Sequence, residues 1–75
     1  MNQSDTVDAI GLLCPLPVLR VAKRMRSLKS GDAVCVVADD PAAEIDIPNF
    51  CREQGHTLVG VTRAGDRITF EIRKS

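Results

Sequence analysis

A chain of 75 residues, 44% hydrophobic and 27% charged, has the length of one small domain, read over residues 1–75, and enough apolar content for a single modest core. A core of that size leaves little room for a deep enclosed cavity, so any chemistry is expected at the surface. Ten basic and ten acidic residues give no net charge, and Tyr and Trp are absent, which argues against general nucleic-acid coating with its many phosphate contacts and stacking aromatics.

Met1 leads into the polar run Asn2, Gln3, Ser4 and Asp5, and the sequence holds no apolar span of about 18 residues. Neither secretion nor membrane insertion is expected, and the cytoplasm is the expected compartment. Three cysteines, Cys14, Cys35 and Cys51, are an odd number without paired spacing, as suits reduced thiols rather than a disulfide scaffold. A short strand is expected near Thr6–Ile10. A helix follows, because Val18, Val21, Ala22, Met25 and Leu28 recur at the three- and four-residue spacing of one buried face, and Ser30-Gly31-Asp32 ends it. The apolar, β-branched run Ala33–Ala38 reads as an interior strand closed by the turn residues Asp39-Asp40-Pro41.

A second helix is expected to be capped by Asp46 or Ile47, with Pro48 in its first turn and Gly55 just past its end. Residues 57–63 and 67–73 then flank Ala64-Gly65-Asp66 as a hairpin. In the last of these runs Ile68, Phe70 and Ile72 alternate with polar neighbours, so one sheet face is buried and the other wet. The order βαβαββ predicts an α/β (α+β) two-layer sandwich, with a four-stranded mixed sheet and two helices on one face. Right-handed crossover places the first two strands parallel and adjacent.

Charge is unevenly spread: residues 20–29 hold Arg20, Lys23, Arg24, Arg26 and Lys29 without an acid, and residues 39–53 hold Asp39, Asp40, Glu44, Asp46 and Glu53 against Arg52 alone. One basic face and one acidic rim point to a protein partner, for which Arg20, Lys23, Arg24, Asp39 and Asp40 are the candidate contacts.

In GLLCPLPVL, residues 11–19, Cys14 stands where the first strand gives way to the first helix, the place at which parallel αβ units gather functional groups. Pro15 pushes Cys14 into an extended conformation suited to an N-cap and itself suits the first helical position; Pro17 allows the regular helix to start later. Either start leaves the thiol at the mouth of the helix. A negative charge there gains about 0.3–1 kcal/mol, which predicts a Cys14 pKa moderately below the ordinary cysteine value. Two terms oppose this: the prolines remove amide donors, and Asp39-Asp40 can lie nearby. No Cys-x-x-Cys pair is present, so nothing local would expel an adduct as a disulfide, and a thiol that accepts and passes on a group fits better than dithiol exchange.

The stretch GLLCPLPVL, the basic helix after it, GDAVCVVADDPAAEIDIPNFC and Gly55-His56 together resemble the TusA/SirA family of small sulfur-relay proteins across nearly the whole chain. The family's CPxP motif is matched by Cys14-Pro15-Leu16-Pro17, and its second block by Asp39-Asp40-Pro41 and Asp46-Ile47-Pro48-Asn49-Phe50-Cys51. The resemblance implies a sulfurtransferase in which Cys14 takes sulfane sulfur as a persulfide. The donor would be a cysteine desulfurase or a rhodanese-like protein, and an acceptor protein would receive the sulfur. The branch that feeds transfer-RNA thiolation often has a basic residue before the cysteine and an acidic one inside CPxP, where this chain has Leu13 and Leu16. Sulfur oxidation and molybdenum cofactor synthesis stay open as destinations beside it.

The remaining reactive side chains read as structural: Cys35 within an apolar strand and Cys51 beside Phe50 as packing, and His56 as a surface or locally hydrogen-bonded residue. The three cysteines and His56 lack the close pairs of a zinc site, so no metal is expected, and no cofactor. Asp39 and Asp40 are read first as turn and cap residues. The alternatives to sulfur transfer are a non-catalytic regulatory or protein-interaction module and, behind it, an RNA-binding domain; direct nucleic-acid and membrane contact are not expected.

Overall fold

The computed structural model describes residues 4–75; the polar run read at the start of the chain begins in Met1–Gln3, which lie outside them. Six elements follow in the expected order: β1 (Ser4–Ala9), α1 (Leu16–Met25), β2 (Ala33–Ala38), α2 (Ala43–Gln54), β3 (Thr57–Ala64) and β4 (Arg67–Arg73). β2 and β4 span the runs whose patterns predicted them. β1 stops one residue before Ile10, whose N–H leaves the ladder and donates to Asp8 Oδ1 at 3.0 Å. No helix among the described residues is long and apolar enough to cross a membrane.

The sheet runs β1-β2-β4-β3, with β1 parallel to β2 and β4 antiparallel to both β2 and β3. Register puts Val7 beside Val36 and Val36 beside Phe70, so these side chains share one face. Val21 and Met25 of α1 and Ile47 and Phe50 of α2 join the same buried cluster, which places both helices over that face. Burying each such side chain contributes roughly 1.5–3 kcal/mol, the dominant favourable term in a chain this short.

The opposite face is open. Thr6, Cys35 and Glu71 are neighbours across it, and Cys35 is half-buried, not a core residue as its apolar strand suggested. The reason is alternation: Val34, Val36 and Ala38 point to the helices, so Cys35 and Val37 point away.

α1 ends at Met25, five residues before the expected stop. The N–H groups of Ser27 and Leu28 tighten the turn by bonding three residues back, each at 3.1 Å, and Lys74 Nζ donates to the carbonyls of Met25 and Leu28 at 2.7 Å. A lysine from the far end of the chain thus satisfies carbonyls the helix leaves open. Leu28 still packs against the core.

α2 starts earlier than predicted, at Ala43, and encloses Pro48. The turn into α2 is held by Asp40, whose Oδ1 accepts from Ala42 N–H at 3.1 Å while its carbonyl accepts from Ala43 N–H at 2.9 Å; Ala42 takes the N-cap position without a side-chain cap. An interior proline costs about 3 kcal/mol. Full burial of Ile47 offsets roughly 1.5–3 of that, and the hydrogen bond to Asp40 Oδ1 adds about 0.5–1.5, so the longer helix is favoured.

The other end of α2 matches expectation. Gly55 takes φ 78° and ψ 13°, and His56 N–H reaches back to the Cys51 carbonyl at 2.8 Å. A Cβ at this position would make only an ordinary van der Waals contact, with Ser75 Oγ at 3.8 Å, but would sit on a strained backbone. Gly55→Ala is therefore expected to lower stability by about 1–2 kcal/mol in urea unfolding, with the slope of the transition unchanged.

Candidate functional site

Because β1 and β2 run parallel with Ala9 beside Ala38, both strands end at the same edge of the sheet. The loop that leads from β1 into α1 therefore lies against the turn that leads from β2 into α2, and three carboxylates fix its backbone. Asp8 Oδ1 accepts from Ile10 N–H, Asp39 Oδ1 from Gly11 N–H at 2.9 Å, and Asp40 Oδ2 from Cys14 N–H at 2.8 Å. Gly11 takes φ 81°, a left-handed conformation glycine adopts without steric cost. Asp39 and Asp40, read from the sequence as turn residues with a possible partner contact, direct these oxygens inward to the loop.

Cys14 sits at the tip of this loop, exposed, and the Cys14–Pro15 peptide bond is cis. The residue in the N-cap position is Pro15, not Cys14; Leu16 is the first helical residue, and Pro17 is buried at the second. The thiol stands one residue outside the helix. Its Sγ donates to Asp46 Oδ2 at 2.6 Å, across 32 residues of sequence.

This overturns the expected activation by the helix terminus. The hydrogen bond to Asp46 holds the Cys14 pKa above the ordinary cysteine value; loss of solvent and the negative charges of Asp46 and Asp40 push it the same way. Cys14 is held as a thiol, with an acidic partner in contact.

Asp46 is the residue sequence reasoning missed in this role, having been read as a possible helix cap, one acid of the rim and the start of a matched motif block. It lies in the first turn of α2, next to the acidic turn that anchors the Cys14 loop, so its position is a consequence of where α2 starts.

The basic residues of α1 occupy the flank of the site. Arg20 Nη1 donates to the Asp8 carbonyl at 3.3 Å, and Arg24 pairs with Asp5 at 2.9 Å, a partly exposed ion pair worth about 0–1 kcal/mol. Lys23 is exposed. Between α1 and β1 runs an open groove of about 840 Å³ whose walls include Leu12, Leu16, Leu19, Arg20 and Lys23. Leu13, Leu16 and Leu19 are 68, 48 and 57% exposed, so an apolar strip borders Cys14 on the side where the basic residues lie.

The other reactive groups stand apart from this centre. Cys51 is buried in α2, and burial pushes its pKa up. His56 accepts from Ser75 N–H at 3.2 Å and its ring lies 5.7 Å from that of Phe50, the local hydrogen-bonding role expected of it. Desolvation, then the Lys74 charge, lowers its pKa. Among the described residues no three His, Cys, Asp or Glu side chains are grouped as metal ligands.

A family model described as Sulfurtransferase TusA matches residues 5–74. Among solved structures, the chain is similar to the SirA-like protein of Desulfitobacterium hafniense, with 25% identity over 95% of this chain and 96% of that one and a TM-score of 0.82.

Proposed function

Since the chain belongs to the TusA sulfurtransferase family, we propose that it is a sulfur carrier, a single domain that accepts sulfane sulfur as a persulfide on Cys14 and relays it from a donor protein to an acceptor protein. The observation that carries this reading is the placement of one exposed thiol at the tip of a loop anchored by three carboxylates.

The chemistry is an exchange at sulfur. Sγ of Cys14, as thiolate, bonds to the outer sulfur of the donor persulfide; the donor S–S bond breaks, and its electron pair leaves on the donor cysteine as a thiolate. Delivery repeats the exchange, with an acceptor thiolate attacking the outer sulfur and Cys14 leaving. The sulfane sulfur keeps its oxidation state throughout, so no external oxidant or reductant enters. Pro15 and Pro17 restrict the backbone on either side of Leu16 and hold the sulfur forward of α1.

A convex domain of this size presents its cargo to the active sites of larger proteins and needs no deep pocket of its own. Arg20, Lys23 and Arg24 form the rim that steers acidic partners, and Leu13, Leu16 and Leu19 supply the apolar contact beside the sulfur. The donor in this reading is a cysteine desulfurase or a rhodanese-like protein.

Intact-mass spectrometry tests the reading. After incubation with a persulfide donor the chain gains the mass of one sulfur, reversed by dithiothreitol, and fragmentation places it on Cys14. A chain that gains no sulfur, or gains it at Cys35, contradicts the proposal.

A further inference from the structure

Resting on the carrier reading above, we propose that Asp46 is a catalytic residue whose carboxylate takes the proton of Cys14 as sulfur is loaded. Contact is the first argument: Oδ2 of Asp46 lies 2.6 Å from Sγ, and among the described residues no other side chain is hydrogen-bonded to that sulfur.

The second argument is that the neighbouring groups are committed. Asp40 directs Oδ2 to Cys14 N–H and Oδ1 to Ala42 N–H, and Asp39 directs Oδ1 to Gly11 N–H, so among the described residues both carboxylates are turned to backbone amides and neither is hydrogen-bonded to Sγ. His56, the chain's one histidine, is hydrogen-bonded to Ser75 instead.

The third argument is electrostatic. The charged groups that face Cys14 are Asp46 from α2 and Asp40 from the turn before it, both negative, so free thiolate is scarce at neutral pH. A nucleophile stored as its thiol reacts readily only where an acceptor is already in place, and α2 holds this one rigidly in its first turn.

The step balances as follows. The S–H proton passes from Sγ to Oδ2 while the S–H electron pair forms the bond to the donor's outer sulfur; the donor S–S bond breaks and its pair departs as donor thiolate. By microscopic reversibility, protonated Asp46 returns the proton to Sγ when an acceptor thiolate takes the sulfur away.

Wild type and Asp46→Asn are compared in two assays over a range of pH: sulfur loading from glutathione persulfide, followed by intact mass, and alkylation by iodoacetamide. The small donor removes docking from the comparison. Asparagine keeps the size of the side chain but removes its charge and its ability to take a proton, so the Cys14 pKa falls and alkylation at neutral pH speeds up. Loading is expected to move the opposite way and slow about tenfold, because a lost proton acceptor, worth about a hundredfold or more, outweighs the gain in thiolate.

Opposed changes in the two assays support Asp46 as proton acceptor. Parallel acceleration of loading and alkylation overturns it and leaves Asp46 an electrostatic restraint, and so does loading at the wild-type rate. If wild type itself takes up no sulfur while alkylating normally at Cys14, it is the carrier reading that fails, and the proposal with it.

Discussion

Cys14→Ser takes up no sulfur from any donor, whereas Cys35→Ser and Cys51→Ser each keep the wild-type mass gain. The effect is total because the hydroxyl that replaces the thiol is neither acidic enough to ionise nor able to form a persulfide. The other two cysteines offer no substitute. Cys51 is 2% exposed and its pKa is pushed up by burial, so its sulfur is shielded from a donor and ionises less readily than an ordinary cysteine. Cys35 lies on the open sheet face, half-buried beside Thr6 and Glu71, away from the loop that carries Cys14. Intact mass after incubation with donor reads all three variants in one experiment. Loss of sulfur from Cys35→Ser would move the site to the sheet face. A non-catalytic interaction module predicts instead that wild type carries no sulfur and that Cys14→Ser binds its partner unchanged.

Much of this architecture was legible because local pattern and global fold agree. Ile68, Phe70 and Ile72 alternate in β4 and Gly55 follows α2, and each reflects a constraint confined to a few neighbouring residues. The start of α2 was not legible, since Pro48 argued locally for a late start. The outcome turned on the burial of Ile47 and on the turn that Asp40 holds ahead of the helix, which only the assembled core values correctly. Cys35 was misread for a different reason. Its strand is apolar on both faces, and the clue to its outward orientation lies in the register with Glu71, which is not visible within Ala33–Ala38.

At the candidate site the motif pointed to Cys14 but not to what surrounds it. A helix mouth argues for a stabilised thiolate; the parallel register of β1 with β2 instead brings a row of acids to the same edge, and Cys14 meets one that follows it by 32 residues. Position along the chain says nothing of that contact. It follows from two strands ending together and a helix starting beside them.

Asp40→Ala is expected to cut sulfur transfer about tenfold while speeding alkylation of Cys14. The two effects have opposite signs because Asp40 acts on Cys14 through position and through charge. Its Oδ2 fixes the Cys14 amide from 26 residues away, and its Oδ1 holds the turn that delivers Asp46. Truncation releases both ends of the Sγ–Oδ2 contact, and a displacement of about 1 Å in a reacting pair is worth about a hundredfold in rate, which the gain in thiolate offsets in part. The lost hydrogen bond to Ala42 N–H adds about 0.5–1.5 kcal/mol of destabilisation, too little to unfold a domain of ordinary stability. Charge works the other way: the Asp40 carboxylate helps hold the Cys14 pKa up, so its removal shifts the alkylation profile to lower pH. Asp40→Asn keeps one of the two contacts, since its single amide oxygen accepts from Cys14 N–H while its NH2 group, a donor, loses Ala42 N–H, and it carries no charge. It is expected to recover part of the transfer rate while alkylating as fast as the alanine variant. Wild-type transfer in Asp40→Ala would mean that the Asp39 contact to Gly11 suffices to hold the loop. Equal loss in both variants would mean that the contact to Cys14 N–H contributes nothing, against the geometry argued for it.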